Sequence, residues 1–194
     1  MSKRNKVVFV GLCAVDRDLV REWAASGDLP TLRSLMQTGI TGRTEGLPGV
    51  YVGAHWPSFA SGCTPAKTRV YSWEQLRPGT YDHYRVLTGA TAQRPQFWDA
   101  LSAAGRRVCV FDIPLSYPSP YVNGLQTVEW GAHDAVHGFT ASSPSLRAEI
   151  VRNFGLHPVS GNSDADRTPQ ELLAFADTLL DGVRRKTRLT RHFL

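Results

Sequence analysis

The run Val7, Val8, Phe9, Val10 and Gly11, followed by polar residues and then by helical spacing, constrains the fold of this chain more than any other stretch. Five residues with three β-branched valines have the length and composition of a buried strand. Asp16 and Asp18 then precede Leu19, Val20 and Trp23, which recur at helical spacing behind an acidic first turn. The spacing predicts a strand, a tight loop holding Cys13 and Ala14, and a helix. Such a unit opens an α/β sheet, where ligands bind at the carboxyl ends of the strands. Cys13, Ala14 and Asp16 are therefore the first candidates for chemistry, beside the plainer reading that the loop only turns the chain.

With 194 residues, 42% hydrophobic and 20% charged, the chain carries enough apolar mass for one α/β domain and is not expected to be mainly disordered. Its formal charge of +5 comes largely from arginine, with Arg184, Arg185, Lys186, Arg188 and Arg191 clustered together. No aromatic-rich binding module accompanies them, so they read as a solvated helix face, and neither nucleic acid nor a membrane is expected as partner. Cys13, Cys63 and Cys109 lack CxxC spacing, and no apolar signal segment follows the basic start. These features argue against a disulfide framework or thiolate zinc site and for a cytoplasmic protein.

Further along, Gly27 and Pro30 mark a turn, Thr31 is a candidate cap for a helix carrying Leu32, Leu35 and Met36, and Gly39 ends it. A short strand is expected over 40–44. Residues 47–62, with Pro48, Pro57 and three glycines, read as a loop with fixed turns in which 58–61 can open a helix. Residues 63–94 read as an irregular excursion. Phe97, Trp98, Leu101 and Ala104 then describe one helix face, and residues 107–112 a buried strand with Cys109 as a small core residue.

A further strand is expected over 124–130, then a helix from Pro144 with Leu146, Ile150, Val151 and Phe154 inward. His133, Asp134 and His137 invite a zinc reading, since imidazole and carboxylate are common ligands, against the plainer one of a polar loop. Residues 160–166 are rich in oxygen donors, but without EF-hand spacing they read as the lead-in to the next helix. In that last helix Thr168 and Glu171 form a capping box, Pro169 takes the first position, and Leu172, Phe175, Ala176, Leu179 and Val183 form an apolar stripe. No strand follows it, so the α/β pattern is expected to be completed by a second segment or chain.

Taken in order, these segments resemble the amino-terminal half of the alkaline phosphatase superfamily, in its type I phosphodiesterase and nucleotide pyrophosphatase branch. The resemblance is carried by residues 8–16, by 27–35, by Trp56-Pro57-Ser58-Phe59-Ala60-Ser61-Gly62, and by 75–81, 97–105, 112–114 and 130–134. It implies an alkaline-phosphatase-like sheet flanked by helices, incomplete over residues 1–194. It also implies zinc or another divalent metal held by Asp and His, and an in-line attack on a phosphate ester.

Several positions depart from that pattern. Cys13 matches the first metal-ligand Asp, leaving Cys13 and Asp16 as the metal candidates, and a thiolate favours zinc over manganese or magnesium. The nucleophile position falls on Tyr51 or Val52 depending on the side from which it is counted, with Ser58 and Ser61 as alternatives. Thr68 matches a family His. Residues 63–67 resemble the sulfatase formylglycine signal, but follow the Ser61-Gly62 turn rather than precede it and carry Lys for Arg.

Two functions follow from the resemblance. One is part of a hydrolase or transferase for phosphate-ester-like small molecules, with Tyr51 and Cys13 catalytic and His55 and Ser58 contacting substrate. The other is a metal-free, non-catalytic member that binds a ligand or partner protein. A third reading makes Cys13 a covalent nucleophile, its thiolate favoured by the helix start behind it.

Overall fold

The computed structural model describes residues 6–13, 15–46, 50, 53–85, 94–132, 135, 138–159 and 166–194. It is a mixed α/β protein with two compact units, Met1–Glu45 and Gly46–Leu194.

In the first unit, α1 spans Arg17–Ser26 and α2 spans Pro30–Thr38. Asp16 caps α1, its Oδ1 accepting the N–H groups of Asp18 at 2.8 Å and Leu19 at 2.9 Å. Two of the helix's orphan donors are thereby satisfied. Gly27, at φ 101°, ends α1 in the left-handed conformation that glycine adopts without strain. α2 begins at Pro30 behind Leu29 rather than at a Thr31 cap, because proline's fixed φ already suits the first helical position.

The expected strands at 7–11 and 40–44 do not form. A strand is held by a ladder to a neighbour, and no described segment supplies one here, so both runs remain without regular structure. Val7 is 89% exposed and Ile40 fully so. Among the described residues of this unit only Ala24 is buried.

The second unit opens with α3 (His55–Ser61) and α4 (Pro65–Thr68). α3 starts three residues ahead of the expected Ser58, since Pro57 in a first turn withholds only an N–H that has no helical partner there. The stretch expected to be irregular contains a hairpin. In it β1 (Glu74–Leu76) pairs antiparallel with β2 (His83–Arg85), placing Gln75 opposite Tyr84. Pro78 and Gly79 lie in the turn between them, which Thr80 N–H closes onto Arg77 O at 3.1 Å.

Next come α5 (Phe97–Ala103), β3 (Val108–Phe111), β4 (Gly124–Val128), β5 (Thr140–Ala141), α6 (Pro144–Phe154) and α7 (Pro169–Phe193). β3 and β4 run parallel and β5 joins β4 antiparallel, in the order β3-β4-β5. The parallel pair is connected by residues 112–123 without an α-helix. Two buried amides hold that connection. Gln96 accepts Tyr117 N–H and donates to Tyr117 O, while Gln126 donates to the same carbonyl and accepts Ser119 N–H. Buried backbone groups of a loop need such partners.

This polar staple decides which face of α5 turns inward. Trp98, Asp99 and Ser102 are buried, whereas Phe97 and Leu101, expected inside, are 42% and 41% exposed. Asp99 accepts the Ser119 hydroxyl, and Ser102 Oγ accepts Asn123 N–H, so hydrogen bonding to the connection outweighs the apolar periodicity. Cys109 is also exposed rather than a core residue, because strand alternation sends Val110 inward against Trp98 and Ala60. A second cluster joins Trp130, Ile150 and Leu189 with Phe111, Phe154 and Phe193, fixing α6 and the end of α7 to the sheet.

α7 carries the expected capping box. Thr168 Oγ1 accepts Glu171 N–H at 3.4 Å, and Glu171 Oε2 accepts Thr168 N–H at 2.7 Å and its hydroxyl at 2.8 Å. The backbone and hydroxyl of Thr168 hold the Glu171 carboxyl below its ordinary value of 4.5. A lowered carboxylate pKa stabilises the folded form above the unfolded value and loses that contribution as pH falls through the folded one. Far-UV circular dichroism on lowering the pH below 4.5 is therefore expected to report fraying of the start of α7, and Glu171→Gln is expected to remove that step.

The apolar stripe of α7 does not face the core. Leu172 is 53%, Leu179 43% and Val183 63% exposed, while the buried positions are Gly182 and Leu189. What turns Gly182 inward is His157. A Cβ at Gly182 would lie 2.5 Å from His157 Nε2, and the ring cannot retreat. It stands edge-on to Trp130 at 5.1 Å, its Nδ1 lies 2.7 Å from Val159 O, and a Cβ at Gly131 would meet its Cδ2 at 3.0 Å.

Gly182→Ala is thus expected to destabilise by about 2 kcal/mol from overpacking. Helix propensity alone would make it a gain of about 1 kcal/mol. Urea denaturation of this variant and of Gly182→Ala with His157→Ala reads the sign directly, since the double variant should recover most of the loss.

Candidate functional site

In the first unit, the amino end of α1 and residues 42–44 border an open cleft of about 390 Å³ lined by Asp16, Arg17, Asp18, Gly42, Arg43 and Thr44. Arg17 grips Asp18 with two bonds, Nε to Oδ1 at 2.9 Å and Nη2 to Oδ2 at 3.1 Å. That hydrogen bonding and charge raise the Arg17 pKa and hold the Asp18 carboxyl below its usual range. The cleft thus offers two guanidinium groups, one already paired, beside two carboxylates and a hydroxyl. Its sequence signal was partial: Asp16 was anticipated, whereas Arg43 and Thr44 were read as strand.

Cys13 lies exposed in the turn ahead of Asp16. Asp16 Oδ1 is committed to the helix cap. Among the described residues no group of three His, Cys, Asp or Glu side chains is placed to hold a metal ion. Structural and catalytic zinc sites take at least three protein ligands. Cys13 and Asp16 supply two, so the described residues do not fit a divalent metal by themselves. Tyr51 and Val52, the two nucleophile positions, lie outside the described residues, as do Ala14, His133, Asp134, His137 and residues 160–165.

In the second unit His55 is exposed at the first position of α3, with Nε2 3.1 Å from where a Cβ on Gly46 would stand. Ser58 follows one turn later. Its Oγ is buried and has no hydrogen-bond partner, so this hydroxyl, expected to contact substrate, is closed to solvent. Such an orphan costs about 1–3 kcal/mol.

The carboxyl end of the parallel pair β3/β4 carries a cluster that the sequence reading did not single out. Asp112, its side chain 3% exposed, accepts the Thr127 hydroxyl at 2.9 Å, Trp130 N–H at 3.1 Å and Lys186 Nζ at 3.0 Å. It holds φ 46°, a conformation that Asp tolerates better than most residues. In advance it was marked as the last residue of the expected strand 107–112 and by the resemblance of residues 112–114.

No protein-family model, curated protein or solved structure matches the chain. Among the described residues no helix is long and apolar enough to cross a membrane.

Proposed function

We propose that the chain is the phosphate-ester-binding part of a hydrolase or transferase of the alkaline phosphatase superfamily, completed by a second segment or chain. The order of its motifs supports the family, and one structural observation carries the chemistry. Arg43 and Thr44 border an open cleft at the amino end of α1, where the helix dipole and the Arg43 guanidinium favour a phosphoryl oxygen, beside an Arg17 already paired with Asp18 and the capping Asp16. In this reading Arg43 binds the ester's anionic oxygens within the first unit, while a substrate contact by His55 rests on the resemblance alone. Cys13 is the first reactive group after residues 6–12, and Tyr51 is the candidate nucleophile. Zinc or another divalent metal would require ligands beyond Cys13 and Asp16, so no step is drawn through it.

The committed Asp16 carboxylate and the exchange of a ligand Asp for Cys13 favour a second reading, a non-catalytic protein that keeps the fold and binds a phosphate ester or partner. Hydrolysis of a chromogenic phosphodiester by natively purified material, with every chain that co-purifies, separates the two. The enzyme reading expects turnover that falls at least ~100-fold in both Tyr51→Phe and Cys13→Ala, the scale of losing a nucleophile or its activating group. Turnover absent, or unchanged in both variants, rejects it. Phenyl phosphate binding that weakens in Arg43→Ala would then identify a binding protein.

A further inference from the structure

Asn123 precedes Gly124 at the first rung of the parallel pair, and both residues are exposed. Val108 N–H donates to Asn123 O at 3.0 Å and Asp112 N–H to Thr127 O at 3.0 Å, so the odd-numbered residues of β4 turn their backbone groups toward β3. Gly124 therefore turns its N–H to the other side, where β5 pairs with Thr127 and Val128 and stops short of it.

That arrangement leaves a backbone nitrogen free beside a side-chain amide. Attack by the nitrogen after an asparagine on Cγ closes a five-membered ring, and glycine places no Cβ in the way. Elsewhere in the chain lysine, phenylalanine and serine follow Asn5, Asn153 and Asn162 and shield the corresponding nitrogen. At residue 124 the sheet allows no such shield, since a Cβ there would stand 2.0 Å from the Val108 carbonyl oxygen. The glycine that lets β4 lie against β3 is thus the residue that opens Asn123 to attack.

We propose that Asn123 is a site of spontaneous deamidation, with water as the co-reactant. Gly124 N bonds to Asn123 Cγ, the Cγ–Nδ2 bond breaks, and ammonia leaves with the proton that Gly124 N gives up. Water then opens the resulting succinimide. Opening at Cγ gives aspartate, and opening at the backbone carbonyl carbon gives isoaspartate, whose main chain runs through Cβ and Cγ.

Both products weaken the start of β4. Asn123 Nδ2 donates to Arg106 O at 3.1 Å, a bond that neither carboxylate can make. In isoaspartate the main chain also gains an atom between the residue 123 N–H, which donates to Ser102 Oγ at 3.0 Å, and Gly124. β4 then cannot keep both that tie and its register opposite Val108. The proposal does not depend on phosphate-ester chemistry.

The test holds the full chain folded at mildly alkaline pH, with a portion unfolded in guanidinium as the reference. Trypsin releases residues 108–147 as one peptide, in which Asn123 is the only asparagine. In the folded chain this peptide is expected to lose ammonia and gain water with time, faster as the pH rises because the attacking nitrogen must shed its proton. Fragmentation should place isoaspartate at 123, Asn153 should stay an amide, and Asn123→Ser should abolish the change. The converted fraction, separated by its added negative charge on ion exchange, should unfold at lower guanidinium than the fresh chain. An Asn123 still intact in the folded chain when the unfolded portion has converted would overturn the proposal, and so would a converted fraction with an unchanged unfolding midpoint.

Discussion

Gly124→Ala is expected to break the three-stranded sheet. Gly124 opens β4 opposite Val108, the first residue of β3, and holds φ 144°, which side chains rarely adopt. A Cβ there would stand 2.0 Å from the Val108 carbonyl oxygen and 3.0 Å from its carbon. Backbone in a parallel ladder cannot move aside as a side-chain tip can, so the two strands must separate or shift register. A one-residue slip turns every side chain to the other face, taking Val110 and Val128 out of the core. The loss should reach about 3 kcal/mol or more, the range of severe core and backbone disruptions.

Gly105→Ala is the matching control, since Gly105 is also left-handed, at φ 71°, but has nothing within 4 Å of the added carbon. Strain alone should make that change cost about 1–2 kcal/mol. Urea denaturation followed by near-ultraviolet circular dichroism compares the two. Equal losses would mean that the close approach to Val108 is not what the glycine is for.

How far the sequence foretold the structure depends on where the deciding partner lies. Elements set by local chemistry were legible: the Thr168 and Glu171 box, Pro144 opening α6, and Gly27 and Gly39 just past the ends of α1 and α2. Those depending on a distant partner were not. The valines at 7–10 have strand composition, yet composition cannot supply the neighbour that a ladder needs. On α7 the apolar residues were legible but not which face meets the core, because His157 and Leu189, not the stripe, decide that. The β1/β2 hairpin was missed although Pro78-Gly79 announced its turn, since three-residue strands are too short to show alternation. Of the site residues, Asp16 Oδ1 caps α1 and Ser58 Oγ is buried, two placements that spacing did not indicate. Asp112 gave no periodic signal, because its partners come from β4, the loop after it and α7.

That convergence makes Asp112→Ala the second large change expected. One carboxylate takes Trp130 N–H, the Thr127 hydroxyl and the Lys186 ammonium, and so ties the ends of β3 and β4 to α7. Alanine removes the acceptor from all three and places a side chain without Asp's local hydrogen bonding at φ 46°. Removing one partner of a buried ion pair costs about 3–5 kcal/mol. Lys186 is 39% exposed, so water can take up part of its charge, and the low end of that range, about 3 kcal/mol, is expected.

Asp112→Asn separates the contributions. Asparagine tolerates the left-handed conformation and keeps one acceptor oxygen, so it should cost about 1–2 kcal/mol, largely the charge-assisted part of the Lys186 contact. A double-mutant cycle of Asp112→Asn with Lys186→Met, measured by urea denaturation, isolates that contact. A coupling near zero would mean that Lys186 merely lies beside the carboxylate. A loss below about 1 kcal/mol in Asp112→Ala would mean that the sheet and α7 are joined by apolar packing of Trp130, Ile150 and Leu189 alone.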